Sequence, residues 1–124
     1  MQLSGDSTKA LFVQVAELIE DQILGGILLA DEQVYSTNQL AKLYHINPAT
    51  ARKGLHMLVE ENIIYKKRGL GMFVSEGAVH YIREKRKNNF YYDYILTMLK
   101  EGEKLDISKE EIIHMIERNE GGKS

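Results

Sequence analysis

Cysteine is absent from the chain, which excludes disulfides, thiolate metal sites and cysteine nucleophiles. Long apolar runs are missing too. The longest span only a few residues against the roughly 20 needed to cross a bilayer, so no membrane partner is expected. Residues Met1 to Lys9 lack a basic segment followed by an apolar one, so no secretory signal is expected and the default location is cytoplasmic. His45, His56, His80 and His114 include no pair at metal-ligand spacing. There is no phosphate-cradling glycine loop, no serine-nucleophile motif, no internal repeat and no low-complexity segment. Neither an enzyme nor a cofactor is expected. What is present, 44% hydrophobic and 27% charged residues over 124 positions, suits one ordinary domain or a small domain with an oligomerisation appendage.

The net charge of −2 hides a division along the chain. Residues 1–32 hold one lysine against six acids, a balance of −5. Residues 33–75 hold Lys42, Arg52, Lys53, Lys66, Lys67 and Arg68 against Glu60 and Glu61, a balance of +4. Residues 76–124 return to −1, with nine basic and ten acidic residues. Local field, rather than overall charge, governs attraction to phosphate, and the field is positive in the middle third.

Residues 1–7 show no periodicity and are expected to fray. From about Thr8, Phe12, Val15, Ala16, Ile19, Ile23 and Ile27 follow helical spacing, and Gly25-Gly26 closes that helix. Gln33-Val34-Tyr35 in the following connector has the composition of a short strand. Ser36 with Gln39 forms a capping box, starting a short helix expected to bury Leu40, Ala41, Leu43 and Tyr44. After a tight turn at His45-Ile46, Asn47 caps a third helix with Pro48 at its first position. Ala51, Leu55, Leu58 and Val59 make its inner stripe, and Gly54 admits a close neighbour. Ile63 to Lys66 and Met72 to Ser75 read as strands joined by Lys67-Arg68-Gly69-Leu70-Gly71, a hairpin connection. About Glu76 to Lys104 reads as a long helix, and Ser108 with Glu111 starts a last one. The sum is an α+β, mostly helical fold: a winged helix-turn-helix over residues 8–75, then a two-helix tail over 76–120.

In a helix-turn-helix the second helix enters the major groove and its first turns reach base edges. With Ala51, Leu55 and Leu58 turned inward, Ala49, Thr50, Lys53 and His56 face outward and Arg52 lies at the flank. Arginine and lysine pair with guanine edges, and threonine can donate, accept or meet a thymine methyl. The free N–H groups at the helix start can also hold a phosphate. The cationic hairpin tip suits an adjacent backbone or minor groove. Each part has a bland alternative, since Asn-Pro starts helices in any protein and three cations on a hairpin are often only solvated. Their order and the localised charge favour duplex DNA as partner. A winged helix that binds protein instead is the competing interpretation, and it predicts little salt-dependent affinity for DNA.

These residues resemble the GntR family of bacterial transcription regulators. Ala10-Leu11-Phe12-Val13-Gln14-Val15 is similar to the family's opening PLYxQI. The likeness continues through Gly26, Leu40-Ala41 and Ile46-Asn47-Pro48-Ala49-Thr50-Ala51-Arg52, and ends on Gly69-Leu70-Gly71-Met72-Phe73-Val74, similar to GxGTFV. It covers roughly residues 10–75. The INPATA form followed by a short tail looks like the YtrA-type branch, whereas larger branches append sizeable ligand-binding domains. By position, the resemblance implies DNA contacts from Ser36, Thr50, Arg52, Arg68 and Gly69. Charge and helical phase add Lys53 and Lys67, and Asn38, Asn47 and Ala49 complete the set of residues expected to bind DNA. Three positions depart from the family pattern. Val34-Tyr35-Ser36-Thr37-Asn38 stands for LPSER, with Asn38 where a DNA-contacting arginine is common; Leu29 to Glu32 lacks the Pro-Gly turn; and Met72 replaces the wing threonine.

One small winged helix spans only a few base pairs, so specificity calls for two copies on a near-palindromic site. The tail is the expected homodimer contact. Tyr91, Tyr94, Ile95, Met98, Leu99 and Leu105 fall largely on one side of the long helix, with Gly102 small enough for a close crossing. Ile112, Ile113, Met115 and Ile116 add a second apolar face. The resemblance implies the same arrangement, and the alternative is a monomer whose tail folds back on its own winged domain. Phe90 to Tyr94 suits packing better than a ligand cage, although a tyrosine-lined dimer cleft could hold an unknown small-molecule effector. Arg83, Lys85, Arg86 and Lys87 are open to two interpretations, flanking phosphate contact or a solvated face.

Overall fold

The computed structural model describes Leu3 and residues 9–118. Of the stretch expected to fray, Leu3 alone is described, and it rests partly buried against the core. The other residues of that stretch, Thr8, and residues 119–120 lie outside the described residues. The elements run α1 (Leu11–Leu24), α2 (Thr37–Tyr44), α3 (Pro48–Glu60), β1 (Ile64–Lys67), β2 (Gly71–Val74), α4 (Ala78–Phe90), a π-helical turn (Tyr91–Ile95), α5 (Leu96–Lys104) and α6 (Lys109–Glu117).

Helix α1 starts at Leu11, where Val13 and Gln14 donate their amides to the Ala10 carbonyl and the Gln14 side chain holds the Lys9 carbonyl at 3.0 Å. Its stripe of Val15, Ala16, Ile19 and Ile23 enters the core. Ile27, counted in that stripe by spacing, is instead 73% exposed. Two bonds close the helix in a Schellman pattern, from the Ile27 amide to the Gln22 carbonyl and from the Gly26 amide to the Ile23 carbonyl, so the chain turns away before Ile27 can pack.

Both capping boxes form as the sequence indicates. Ser36 Oγ accepts from the Gln39 amide at 3.1 Å while Gln39 Oε1 accepts from the Ser36 amide at 2.8 Å. Ser108 and Glu111 repeat the exchange at α6. In α2, Leu40 is fully buried and Ala41 and Tyr44 are partly so, but Leu43 is 53% exposed. That corrects the expected inward set: α2 is only two turns long and Leu40 with Tyr44, one turn apart, already define its inner line. Helices α1 and α3 touch at Gly54, where a Cβ would stand 2.7 Å from the Phe12 carbonyl oxygen. The close approach read from the sequence is real.

Strands β1 and β2 pair antiparallel, with Ile64 opposite Val74 and Lys67 opposite Gly71. The connector lies along the free edge of β2. Gln33 bridges Phe73, the Asp31 amide donates to the Val74 carbonyl, and the Val34 amide donates to the Met72 carbonyl. The strand-like segment at Gln33–Tyr35 is thus reduced to one bridge with flanking bonds. Ile63, Ile64, Val74, Ala78 and Ile82 complete the core begun by α1, Leu40, Ala51, Leu55 and Leu58.

The contacts divide the chain into two compact units between Glu84 and Lys85, so the first turns of α4 belong with the wing. In the second unit the expected long helix is interrupted by the π-helical turn at Tyr91–Ile95. A π turn takes an extra residue, which rotates the positions after it relative to those before it. The single stripe projected from Tyr91 through Leu105 therefore does not continue in one phase. Beyond α5, the Ile107 amide donates to the Gly102 carbonyl, and α6 folds back against α5. Gly102 is the crossing point, because a Cβ there would meet Ile112 Cδ1 at 3.0 Å. Its smallness serves a crossing within the chain.

Candidate nucleic-acid interface

Helix α3 separates its faces cleanly. Ala51, Gly54, Leu55 and Leu58 are buried, whereas Ala49, Arg52, Lys53 and His56 are exposed and Thr50 is half-buried. The buried positions recur every three or four residues, so the polar residues between them are left facing water. No acid occurs between Pro48 and Val59, and among the described residues no carboxylate pairs with Arg52. His56 Nε2 lies 2.8 Å from Glu60 Oε1, at the far end of the helix.

The N-terminus of α3 differs from expectation. Asn47 Oδ1 accepts from the Ala49 amide at 2.8 Å, the Thr50 and Ala51 amides donate to the Asn47 carbonyl, and Pro48 has no N–H. The Ala49 and Thr50 amides, two of the donors that could hold a phosphate there, are already satisfied by Asn47 itself. What Asn47 retains is its exposed side-chain NH2. At α2, Ser36 is exposed with its oxygen engaged as an acceptor and its hydroxyl proton uncommitted, and Asn38 is exposed in the first turn.

Both lysines added from charge and phase rest on aromatic rings. Lys53 Nζ sits 4.1 Å from the centroid of Phe12, and Lys67 Nζ sits 5.0 Å from that of Phe73. Tyr65 and Phe73 stack at 5.9 Å, so Lys67 lies along an aromatic side of the hairpin. Such contacts are worth about 0.5–1 kcal/mol at exposed sites and leave the charge intact, so they orient the ammonium groups without neutralising them.

The wing tip is a tight turn in which the Leu70 amide donates to the Lys67 carbonyl at 2.9 Å. Gly69, third in that turn, has φ +79, the left-handed region a type II turn requires there, and open space surrounds its Cα. Arg68 and Gly69 are thereby exposed. Gln33 reaches this tip from the connector, donating from Nε2 to the Leu70 carbonyl at 2.9 Å. Sequence reasoning missed Gln33. Local pattern holds no sign of a partner 37 residues away. At the base of the wing, the Tyr65 hydroxyl donates to Asp31 Oδ1 at 2.7 Å, a bond that raises the phenol's pKa.

In the second unit, Tyr91, Tyr94, Met98, Leu105, Ile113 and Ile116 are exposed, and Ile95 and Leu99 are half-buried. Ile112, grouped with them by sequence, is only 8% exposed because it fills the space over Gly102. Met98, Gly102, Leu105, Ile107, Ile112 and Ile116 line an open apolar groove of about 350 Å³. Among the described residues no helix is long and apolar enough to cross a membrane, and no group of metal-ligating side chains assembles.

Known proteins share this architecture. The chain is 38% identical over 69 residues to the arabinose metabolism transcriptional repressor of Halalkalibacterium halodurans, covering 56% of this chain and 18% of that protein. It spans less than a third of the length of the first curated relatives it matches. A GntR family transcriptional regulator from Listeria monocytogenes superposes with a TM-score of 0.69 at 28% identity, covering 93% of this chain and 99% of that one. AraR(DBD), solved in complex with operator ORX1, superposes with a TM-score of 0.54 at 28% identity over 58% of this chain and 90% of its own. The model of the bacterial regulatory proteins of the gntR family matches residues 11–74, more than half of the sequence and the whole of the helix-turn-helix and wing, so the chain belongs to the GntR family.

Proposed function

We propose that the chain is a sequence-specific DNA-binding transcription regulator, a repressor, that grips a near-palindromic operator as a homodimer. The observation that carries this reading is the superposition of its winged unit on a relative held on operator DNA. The outward face of α3 supplies the chemistry: Arg52 and Thr50 for base edges, with the small Ala49 letting the helix approach. Ser36, Asn38 and the Asn47 amide are donors for the sugar-phosphate backbone, and Arg68 with the bare backbone of Gly69 carries the wing into the adjacent groove. Lys53 and Lys67, held on their rings, add sequence-independent attraction. In this reading residues 8–75 are the DNA-reading domain and residues 76–120 the dimerising region, with the first turns of α4 built into the former's core.

The tail supports two-fold pairing because it leaves Leu105 60% and Ile116 58% exposed beside the apolar groove, a surface that a second copy would cover. Tyr91 and Tyr94, with Ile95, Met98, Leu99, Ile112 and Ile113, belong to the same dimerising region. A small-molecule effector has its candidate seat among the exposed tyrosines of that region, and action in the cytoplasm follows from the DNA target. Selection of bound fragments from random duplex DNA tests the proposal: an enriched inverted repeat is expected. Absence of enrichment at low salt would favour a winged helix that binds protein.

A further inference from the structure

We infer that Gln33 is the positioning residue of the wing: it holds the tip in the pose from which Arg68 and Gly69 meet DNA. The inference rests on the DNA-binding reading and adds a residue that neither local pattern nor resemblance marks. Its main chain is pinned beside β2 by the bridge to Phe73, with the flanking Val34 amide bonded to the Met72 carbonyl and the Val74 amide to the Glu32 carbonyl, both at 2.9 Å. From that anchor the side chain runs along the strand to the tip, where Nε2 donates to the Leu70 carbonyl at 2.9 Å. The amide occupies the place a side chain at position 71 would need, since a Cβ on Gly71 would stand 2.5 Å from Gln33 Nε2. Gly71 is thus cut away to let Gln33 through, with φ +123 that itself favours glycine. Arg68 and Gly69 immediately precede the carbonyl that Gln33 holds, and a side chain at position 69 would meet open space, so beyond the turn's own bond no packing fixes the tip.

The bond is solvent-exposed, so its loss should leave the fold intact and act on order at the tip. Fixing a loop in its bound pose removes an ordering cost from association. Gln33→Met keeps the length and removes the donor. It is expected to leave the melting temperature within about 2 °C and to speed hydrogen exchange at the Leu70 amide, a readout that needs no DNA. Affinity for the selected operator should fall roughly 3- to 10-fold. Arg68→Ala should then cost much less in the Gln33→Met background than in the wild type, whereas a merely structural role predicts additive losses. Unchanged exchange at Leu70, or additive losses with wild-type binding intact, overturns the role of Gln33 alone. Faster exchange at Leu70 in a protein whose wild type shows no salt-dependent duplex binding overturns the DNA reading and, with it, the role assigned here.

Discussion

In the winged unit the apolar stripes end inside the protein: Val15, Ile19, Leu40, Leu55, Leu58, Ile63 and Ile82 are each at most 1% exposed. In residues 85–118 similar side chains at similar helical spacing stay in water. Leu105, Ile113, Met115 and Ile116 are 44–60% exposed, and of residues 85–118 only Gly102 and Ile112 are buried. Burying one such side chain stabilises by about 1.5–3 kcal/mol, so the first unit closes a core that can sustain itself and the second leaves most of that free energy unused. Helices α1, α2 and α3 with the wing and the start of α4 together enclose a core; two short helices crossing at Gly102 cannot. The difference separates a part whose apolar side chains are covered by its own packing from a part that leaves them for the proposed second copy to cover.

The largest test of that contrast is a matched truncation. Leu55→Ala should lower unfolding stability by about 2–5 kcal/mol in urea titration. Ile116→Ala, in dilute protein, should stay within about 0.5 kcal/mol of the parent. Similar costs for the two would break the comparison. Next in size is self-association. Wild-type protein should melt at a temperature that rises with its concentration, and Ile116→Asp should abolish that dependence and leave the monomer mass in sedimentation equilibrium. A dimer that survives the aspartate would move the interface elsewhere.

DNA affinity sharpens the contrast further. Arg52→Ala should lose about 1–3 kcal/mol on the preferred site and relax its sequence preference. Lys67→Ala should weaken all duplexes alike and flatten the dependence on salt. Ile116→Asp should weaken sites with two half-sites while sparing a single half-site, because it leaves the winged unit whole. Fluorescence anisotropy on matched duplexes separates the three patterns, and equal behaviour of the Arg52 and Lys67 variants would contradict their assigned roles.

How much of this was legible in the sequence depends on how local each feature is. Ser36 with Gln39, Asn47 with Pro48, and Ser108 with Glu111 act over two or three residues, so their caps could be read directly, and each forms. Gly54 could be read because a glycine within a helical stripe has few purposes besides close contact. Leu43 and Ile27 were misplaced because periodicity assigns a phase without knowing where a short helix stops. The π-helical turn is a departure from that same period and leaves no mark in hydrophobic spacing. Lys53 over Phe12 and Gln33 at the wing tip join segments far apart in the chain, so no single window contains them. The outward face of α3 was readable as the complement of its buried face. The bond from the Thr50 amide to the Asn47 carbonyl was not, since it depends on how tightly the first turn winds and not on residue type.

The smallest expected effect concerns Tyr65 and Asp31, which tie the connector to the wing. The hydroxyl must carry its proton to donate to Asp31, so the hydrogen bond raises the phenol's pKa, helped by slight desolvation and by the negative charge of Asp31. The sign follows from linkage. With the folded-state pKa above the unfolded value of about 10, the contribution is complete below about pH 10 and disappears as pH climbs through the raised folded value. Tyr65→Phe removes both the bond and the titration. Thermal unfolding followed from neutral pH into the alkaline range should show the wild type melting slightly higher at neutral pH, then falling more steeply, so that the two curves converge. The exposed position keeps the gap small. Parallel curves through the alkaline range would mean that the bond does not hold the connector to the wing in solution, and the connection would then rest on the main-chain bonds of Asp31, Glu32 and Val34 and on the Gln33 side chain.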